Sequence, residues 1–97
     1  MSENLSKINQ IISTNNTICI DIGCGPKKIS DEYLGIDIVD YEGVDLIGDA
    51  IDIIKNFPDE SVDKVYTSHF LEHINHFDIF IKELIRIVKP NGSITII

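Results

Sequence analysis

Between residues 4 and 14 the apolar positions are Leu5, Ile8, Ile11 and Ile12, spaced by three and four, with polar residues filling most of the gaps. That period places one apolar stripe on a helix, which Ser2 or Asn4 can cap and which the polar run Thr14-Asn15-Asn16-Thr17 ends. From Ile18 the pattern tightens: Ile18, Ile20 and Ile22 predict a buried strand that breaks at Gly23-Cys24-Gly25-Pro26. Tyr33 to Ile38 reads as a second strand and Gly43 to Gly48 as a third, with Val39-Asp40-Tyr41-Glu42 as a polar turn between them. Ala50 to Lys55 suits a short helix, closed by Asn56-Phe57-Pro58. After the acidic turn Asp59-Glu60-Ser61, residues 62–67 alternate as a fourth strand. Asn75 through Val88 carries Phe77, Phe80, Ile81, Leu84, Ile85 and Val88, a helical period that Pro90-Asn91-Gly92 stops. Ser93 to Ile97 then starts a fifth strand.

Strands separated by helices or loops predict an α/β fold with a mostly parallel sheet of about five strands, and right-handed crossovers restrict it to a Rossmann-like, doubly wound arrangement. The whole chain, residues 1–97, reads as one domain: an N-terminal helix within 1–16 and an α/β core over 18–97. One link is unusual. Between Gly25 and Tyr33 there are too few residues for a crossover helix, which with its loops takes about a dozen or more. A loop or a single turn is expected there.

Composition narrows the function classes. At 43% hydrophobic and 25% charged residues the chain is globular rather than disordered. Its net charge of −8, with no basic run longer than Lys27-Lys28, argues against nucleic-acid and anionic-membrane partners, which need a positive face. The two cysteines, Cys19 and Cys24, have neither CxxC nor zinc-knuckle spacing and read as a buried residue and a small loop residue. With neither an apolar run of membrane-spanning length nor a signal-peptide pattern, a cytoplasmic location is expected.

Candidate chemistry begins at the end of the first strand. In an open parallel sheet, ligands bind beyond the carboxyl ends of the strands, and two glycines there let a backbone approach one closely. An acid two positions before the first glycine, Asp21, repels a pyrophosphate and favours an ammonium or a sulfonium. A dinucleotide fingerprint also requires a third glycine where Lys28 stands, and a helix starting there. The series Asp21-x-Gly23-x-Gly25 instead resembles the first motif of class I S-adenosylmethionine-dependent methyltransferases, although Lys27 stands where that family often has a further glycine. Residues 57–66, 68–74 and 83–92 resemble later blocks of small-molecule methyltransferases, in the family's order. This covers nearly all of the chain from Ile18 onward.

The resemblance implies S-adenosylmethionine as cofactor, held by Asp21, Gly23, Cys24, Gly25, Asp37, Ile38, Asp49, Ala50 and Ser68. Asp37, at the end of the second strand, can accept two hydrogen bonds from a ribose diol, with Asp40 as its competitor if that strand runs longer. Asp49 would face the adenine amino group and the following amide a ring nitrogen, whereas its bland role is to cap the short helix. Ser68 and His69 would face the methionine end and the acceptor. His69 is the candidate general base, because an imidazole titrates near neutral pH. His69 to His73 also spells H-x-x-E-H, a zinc-peptidase spacing, but a third ligand from a distant helix is not in evidence, so no metal is expected. His76 reads as a solvated or capping residue.

The function expected is methyl transfer to a small-molecule acceptor; the alternative is a non-catalytic module binding the cofactor or a partner. Because the family core continues past its fifth strand, this chain is expected to lack the family's last strands. Ile94, Ile96 and Ile97 would then lie on an apolar edge open to a second copy or another subunit.

Overall fold

A computed structural model describes residues 2–68 and 74–97. Its elements are α1 (Ser2–Thr14), β1 (Cys19–Ile22), β2 (Leu34–Asp37), β3 (Val44–Ile47), α2 (Ala50–Ile54), β4 (Val62–Thr67), α3 (Phe77–Ile87) and β5 (Val88–Ile96). The five strands form one sheet in the order β3-β2-β1-β4-β5, and every pair is parallel. The chain builds outward from β1 to β3, returns to place β4 on the free side of β1, and builds the other way to β5. This is the doubly wound order, with its reversal between β1 and β4.

Register decides which side chains share a face. Ile20 pairs with Leu34 and Val65, and Ile22 with Ile36 and Thr67, so these side chains project to one side of the sheet. They merge into a single core with Ile8 of α1, Ile53 and Ile54 of α2, Phe57, and Phe80, Leu84 and Ile87 of α3. On the opposite face lie Cys19, Asp21, Gly35 and Tyr66. Over that face runs the connection 23–33, which contains no helix, as its length predicts. The second connection, 38–43, is six residues long and also helix-free. Four-residue strands make this feasible: six extended residues reach about 20 Å, more than the roughly 13 Å the chain must retrace. Right-handed crossovers put these two connections on the face opposite α2 and α3. The result is a doubly wound sheet with a helical layer on one side and loops on the other.

Two boundaries differ from expectation. Helix α3 ends at Ile87, and β5 starts at once with Val88 rather than after Pro90-Asn91-Gly92. The carbonyls of Arg86 and Ile87 accept the N–H groups of Glu60 (3.0 Å) and Ser61 (2.8 Å), so the incoming end of β4 captures the chain before the turn residues arrive. Val62 pairs with Val88 and Lys64 with Ser93, so residues 89–92 are accommodated as a bulge. A Cβ on Gly92 would lie 2.5 Å from the Asp63 carbonyl oxygen, which is why a residue without one sits in the bulge. Asn4 is not a cap: it lies inside α1 and its Nδ2 donates to the Ile47 carbonyl at 2.9 Å, tying the helix to the end of β3.

Arg86 joins the helical layer together. Its guanidinium donates to the carbonyls of Ile54 (3.2 Å) and Phe57 (2.9 Å) and pairs with Asp59 (2.7 Å) and Glu83 (2.9 Å). Among the described residues no helix is long and apolar enough to cross a membrane.

Candidate functional site

A cavity of about 450 Å³ opens at the carboxyl ends of the first three strands. Gly23 follows β1, Ile36, Asp37 and Ile38 close β2, and Gly48 and Asp49 follow β3; Ala50 and Ile51 of α2 and residues Ile74, Asn75 and His76 before α3 complete the wall. The size lies within the range of small-molecule sites, and the lining combines aliphatic walls with a few polar groups. Among the described residues its carboxylates are Asp37 and Asp49, and no lysine or arginine lines it.

The glycine loop is built by turning its amides inward. Gly23 and Gly25 take φ of 71° and 66°, the left-handed region that side chains disfavour. In that conformation the Gly23 and Cys24 N–H groups both donate to the Ile36 carbonyl, at 2.7 and 3.3 Å, and the Gly25 N–H donates to Asp37 Oδ2 at 2.8 Å. A phosphate cradle needs such amides directed at the ligand. Here they bind β2 instead, which agrees with the acid-rich lining in disfavouring a pyrophosphate.

Asp37 is held at both oxygens, because Oδ1 accepts the Val39 N–H at 3.0 Å while Oδ2 takes that of Gly25. Each carboxylate oxygen can accept a further bond, so the group is oriented without being exhausted. Asp40 lies exposed in the following turn, outside the cavity lining. Asp49 takes the capping role and also reaches the cavity. Its Oδ1 accepts the Asp52 N–H at 3.1 Å as the N-cap of α2, and the residue also lines the cavity.

Asp21 sits differently from Asp37 and Asp49. It is 3% exposed, lies beneath the loop and accepts the Ile29 N–H at Oδ2, 2.9 Å away. Burial pushes its carboxyl up from the ordinary value, with the Ile29 N–H and Lys28 pulling it down and Asp37 pushing it further up. The Cys24 thiol is pushed up to about 11, first by burial and then by Asp21 and Asp37, so it stays protonated at neutral pH. Its Sγ donates to the Gly25 carbonyl at 3.4 Å.

The structure thus gathers Gly23, Asp37, Ile38, Asp49 and Ala50 around one cavity and places Asp21, Cys24 and Gly25 behind or beside it. Ser68 follows β4, half-buried and outside the cavity lining. His69 and the rest of the H-x-x-E-H run lie outside the described residues. His76 is exposed and holds the N-cap position of α3, in line with expectation, but it makes no side-chain cap bond and it also lines the cavity, which the sequence did not signal. Ile51, Ile74 and Asn75 had no signal as site residues in the sequence. Gly48 had a faint one, since it ends β3 as Gly23 ends β1.

A family model described as a methyltransferase domain matches residues 20–96. No curated protein matches the sequence. Among solved structures the fold is similar to that of a SAM-dependent methyltransferase from Archaeoglobus fulgidus, with a TM-score of 0.72 and 24% identity, over 96% of this chain and 50% of that one. It is also similar to a protein from Methanococcus maripaludis taken to be an S-adenosyl-L-methionine-dependent methyltransferase, with a TM-score of 0.63 and 18% identity, over 96% of this chain and 54% of that one. The chain therefore spans about half the length of either. The doubly wound order, the glycine loop after β1 and the family match from Ile20 to Ile96 agree: this chain belongs to the methyltransferase domain family.

Proposed function

We propose that this chain binds S-adenosylmethionine at the ends of β1, β2 and β3 and serves methyl transfer to a small-molecule acceptor. The observation that carries this reading is the pair of strand-end carboxylates, Asp37 and Asp49, on the wall of one cavity whose glycine-loop amides are already spent on β2. That chemistry fits a ligand with a ribose diol, an amino-bearing ring and a cationic end, and it repels one with a diphosphate. When bound, the cofactor supplies a methyl group on a sulfonium.

Asp37, fixed by the Gly25 and Val39 amides, would accept the ribose hydroxyls. Ile38 and Ile51 offer apolar flanks to the ring, Asp49 an acceptor for its amino group, and the Ala50 amide, in the first turn of α2, a donor. Gly23 lets the backbone come close, and Asp21, Cys24 and Gly25 hold the loop in place. Ser68, after β4, and His69 are the candidates for contacts to the methionine end and the acceptor, with His69 as the candidate base. The net charge of −8 supports a small molecule over a nucleic acid as acceptor.

Calorimetric titration of the purified chain with S-adenosylmethionine and S-adenosylhomocysteine tests the cofactor site. Wild type is expected to bind both, and Asp37→Ala to lose affinity by about tenfold or more, the size expected when a designed acceptor is removed. No binding by a folded wild-type chain overturns the reading. Binding with no methyl transfer across a panel of small nucleophiles assigns the chain instead to the non-catalytic module.

A further inference from the structure

The connection 23–33 carries the glycine loop across the sheet without the helix that would ordinarily anchor it, so something else must fix its position. We propose that Lys28 and Asp45 are positioning residues for the cofactor loop, their ion pair clamping this connection onto β2 and β3. The inference rests on the cofactor reading given above.

Lys28 Nζ lies 3.2 Å from Asp45 Oδ2, and the two side chains are 17% and 39% exposed. Most lysines on a surface loop extend into water, whereas this one is folded down against the sheet. Asp45 has an anchor of its own besides Lys28, because the same Oδ2 accepts the Gly35 N–H at 2.8 Å. The floor beneath the clamp is Gly35. A Cβ there would stand 2.8 Å from Cys24 Sγ and 3.0 Å from Lys28 Cδ, so the loop lies flush on the strand because that residue is glycine.

The clamp falls between two further tethers, the Gly25 N–H on Asp37 and the Ile29 N–H on Asp21. Each of these is a single backbone bond to a carboxylate, and Lys28 is the cation that offsets Asp21 as well as pairing with Asp45. Without it the stretch from Gly25 to Ile29 would rest on carboxylates alone, while Gly23 and Cys24 keep their bonds to the Ile36 carbonyl, so the part of the connection beyond the glycine turn would loosen first. A loop that must be ordered on binding weakens affinity by the ordering it requires.

The test uses the full chain as wild type, Lys28→Met, Lys28→Arg and Asp45→Asn, with two readouts: calorimetric affinity for S-adenosylhomocysteine, and amide hydrogen exchange at Gly25 and Ile29. Methionine keeps the stem and drops the charge; asparagine keeps an acceptor for the Gly35 N–H and drops the partner charge. Lys28→Met is expected to bind about tenfold more weakly and to exchange faster at both amides, with Lys28→Arg restoring both. A merely structural role would lower the melting temperature without this selective exchange and affinity loss. If Lys28→Met lacks the circular dichroism of a folded chain, Asp45→Asn decides by the same two readouts. Wild-type binding with unchanged affinity in the folded charge-removing variant overturns the clamp alone. Absence of binding by wild type overturns the cofactor reading, and the positioning role falls with it.

Discussion

Asp49 carries two roles that a substitution series can separate. As N-cap of α2 its Oδ1 accepts the Asp52 N–H, and as a wall residue it faces the cavity. Serine caps helices about as well as aspartate but is too short and too weak an acceptor to replace the carboxylate at the ligand. Asp49→Ser is therefore expected to unfold at close to the wild-type urea midpoint while binding S-adenosylhomocysteine less tightly. Asp49→Ala should lose affinity and also about 1 kcal/mol of stability, the usual cost of removing a cap. Equal affinity in wild type and Asp49→Ser would leave the residue a cap and nothing more. At this scale the sequence was legible where a residue's position depends on a strand end: Gly23, Asp37 and Asp49 all lie on the cavity wall. It was not legible for His76, which local order presents as the start of a helix. The cavity wall it joins is assembled from strand ends that local sequence does not connect to it.

Among the elements, the junction of α2 and α3 shows how a local signal conceals a tertiary one. Arg86 in the last turn of α3 reads as a residue placed to suit the helix dipole. Its donors in fact cap the end of the other helix, at the Ile54 carbonyl, and hold the Phe57 carbonyl and Asp59 in the turn that follows. Those partners lie 27 to 32 residues away, and no periodicity reveals them. Arg86→Ala is expected to cost about 2 kcal/mol in urea unfolding, since buried carbonyls lose a charged donor. Arg86→Lys should recover only part of that, because an ammonium cannot span the fork of acceptors. A loss no larger than that of an exposed ion pair would mean that water replaces the guanidinium freely. The early start of β5 has the same origin. Proline and glycine at 90 and 92 signal a turn, but the Glu60 and Ser61 amides recruit the chain into the sheet before it.

For the whole molecule, the uneven dress of the sheet makes pH a probe of each face. The helical face is held by aliphatic packing, whereas Asp21, Asp37 and Asp45 fasten the loops on the other side. The absent helix was legible as a short interval; the carboxylate anchors that replace it were not, because they depend on β1 and β2 lying side by side. Asp21 and Asp63 titrate with opposite consequences. Asp63, whose carboxyl is lowered chiefly by the Ile18 N–H against the cost of burial, with Lys89 adding to the effect, contributes stability above the ordinary carboxylate value of 3.8. That contribution is lost as pH falls through its lowered folded value. Asp21, raised by burial, contributes stability that is fully present below 3.8 and is lost as pH rises through its raised folded value. Once pH has risen through that value, the charge on Asp21 is held at a cost beneath the loop that shapes the cavity. In Asp21→Asn an amide oxygen can still accept the Ile29 N–H and the charge is gone, while Asp63 titrates as before and cancels from the comparison. Urea unfolding of the two proteins at a series of pH values is expected to show wild type gaining on Asp21→Asn as pH falls from 7 toward 4. A difference independent of pH would mean that the folded protein leaves this carboxyl at its ordinary value, and that water reaches beneath the loop.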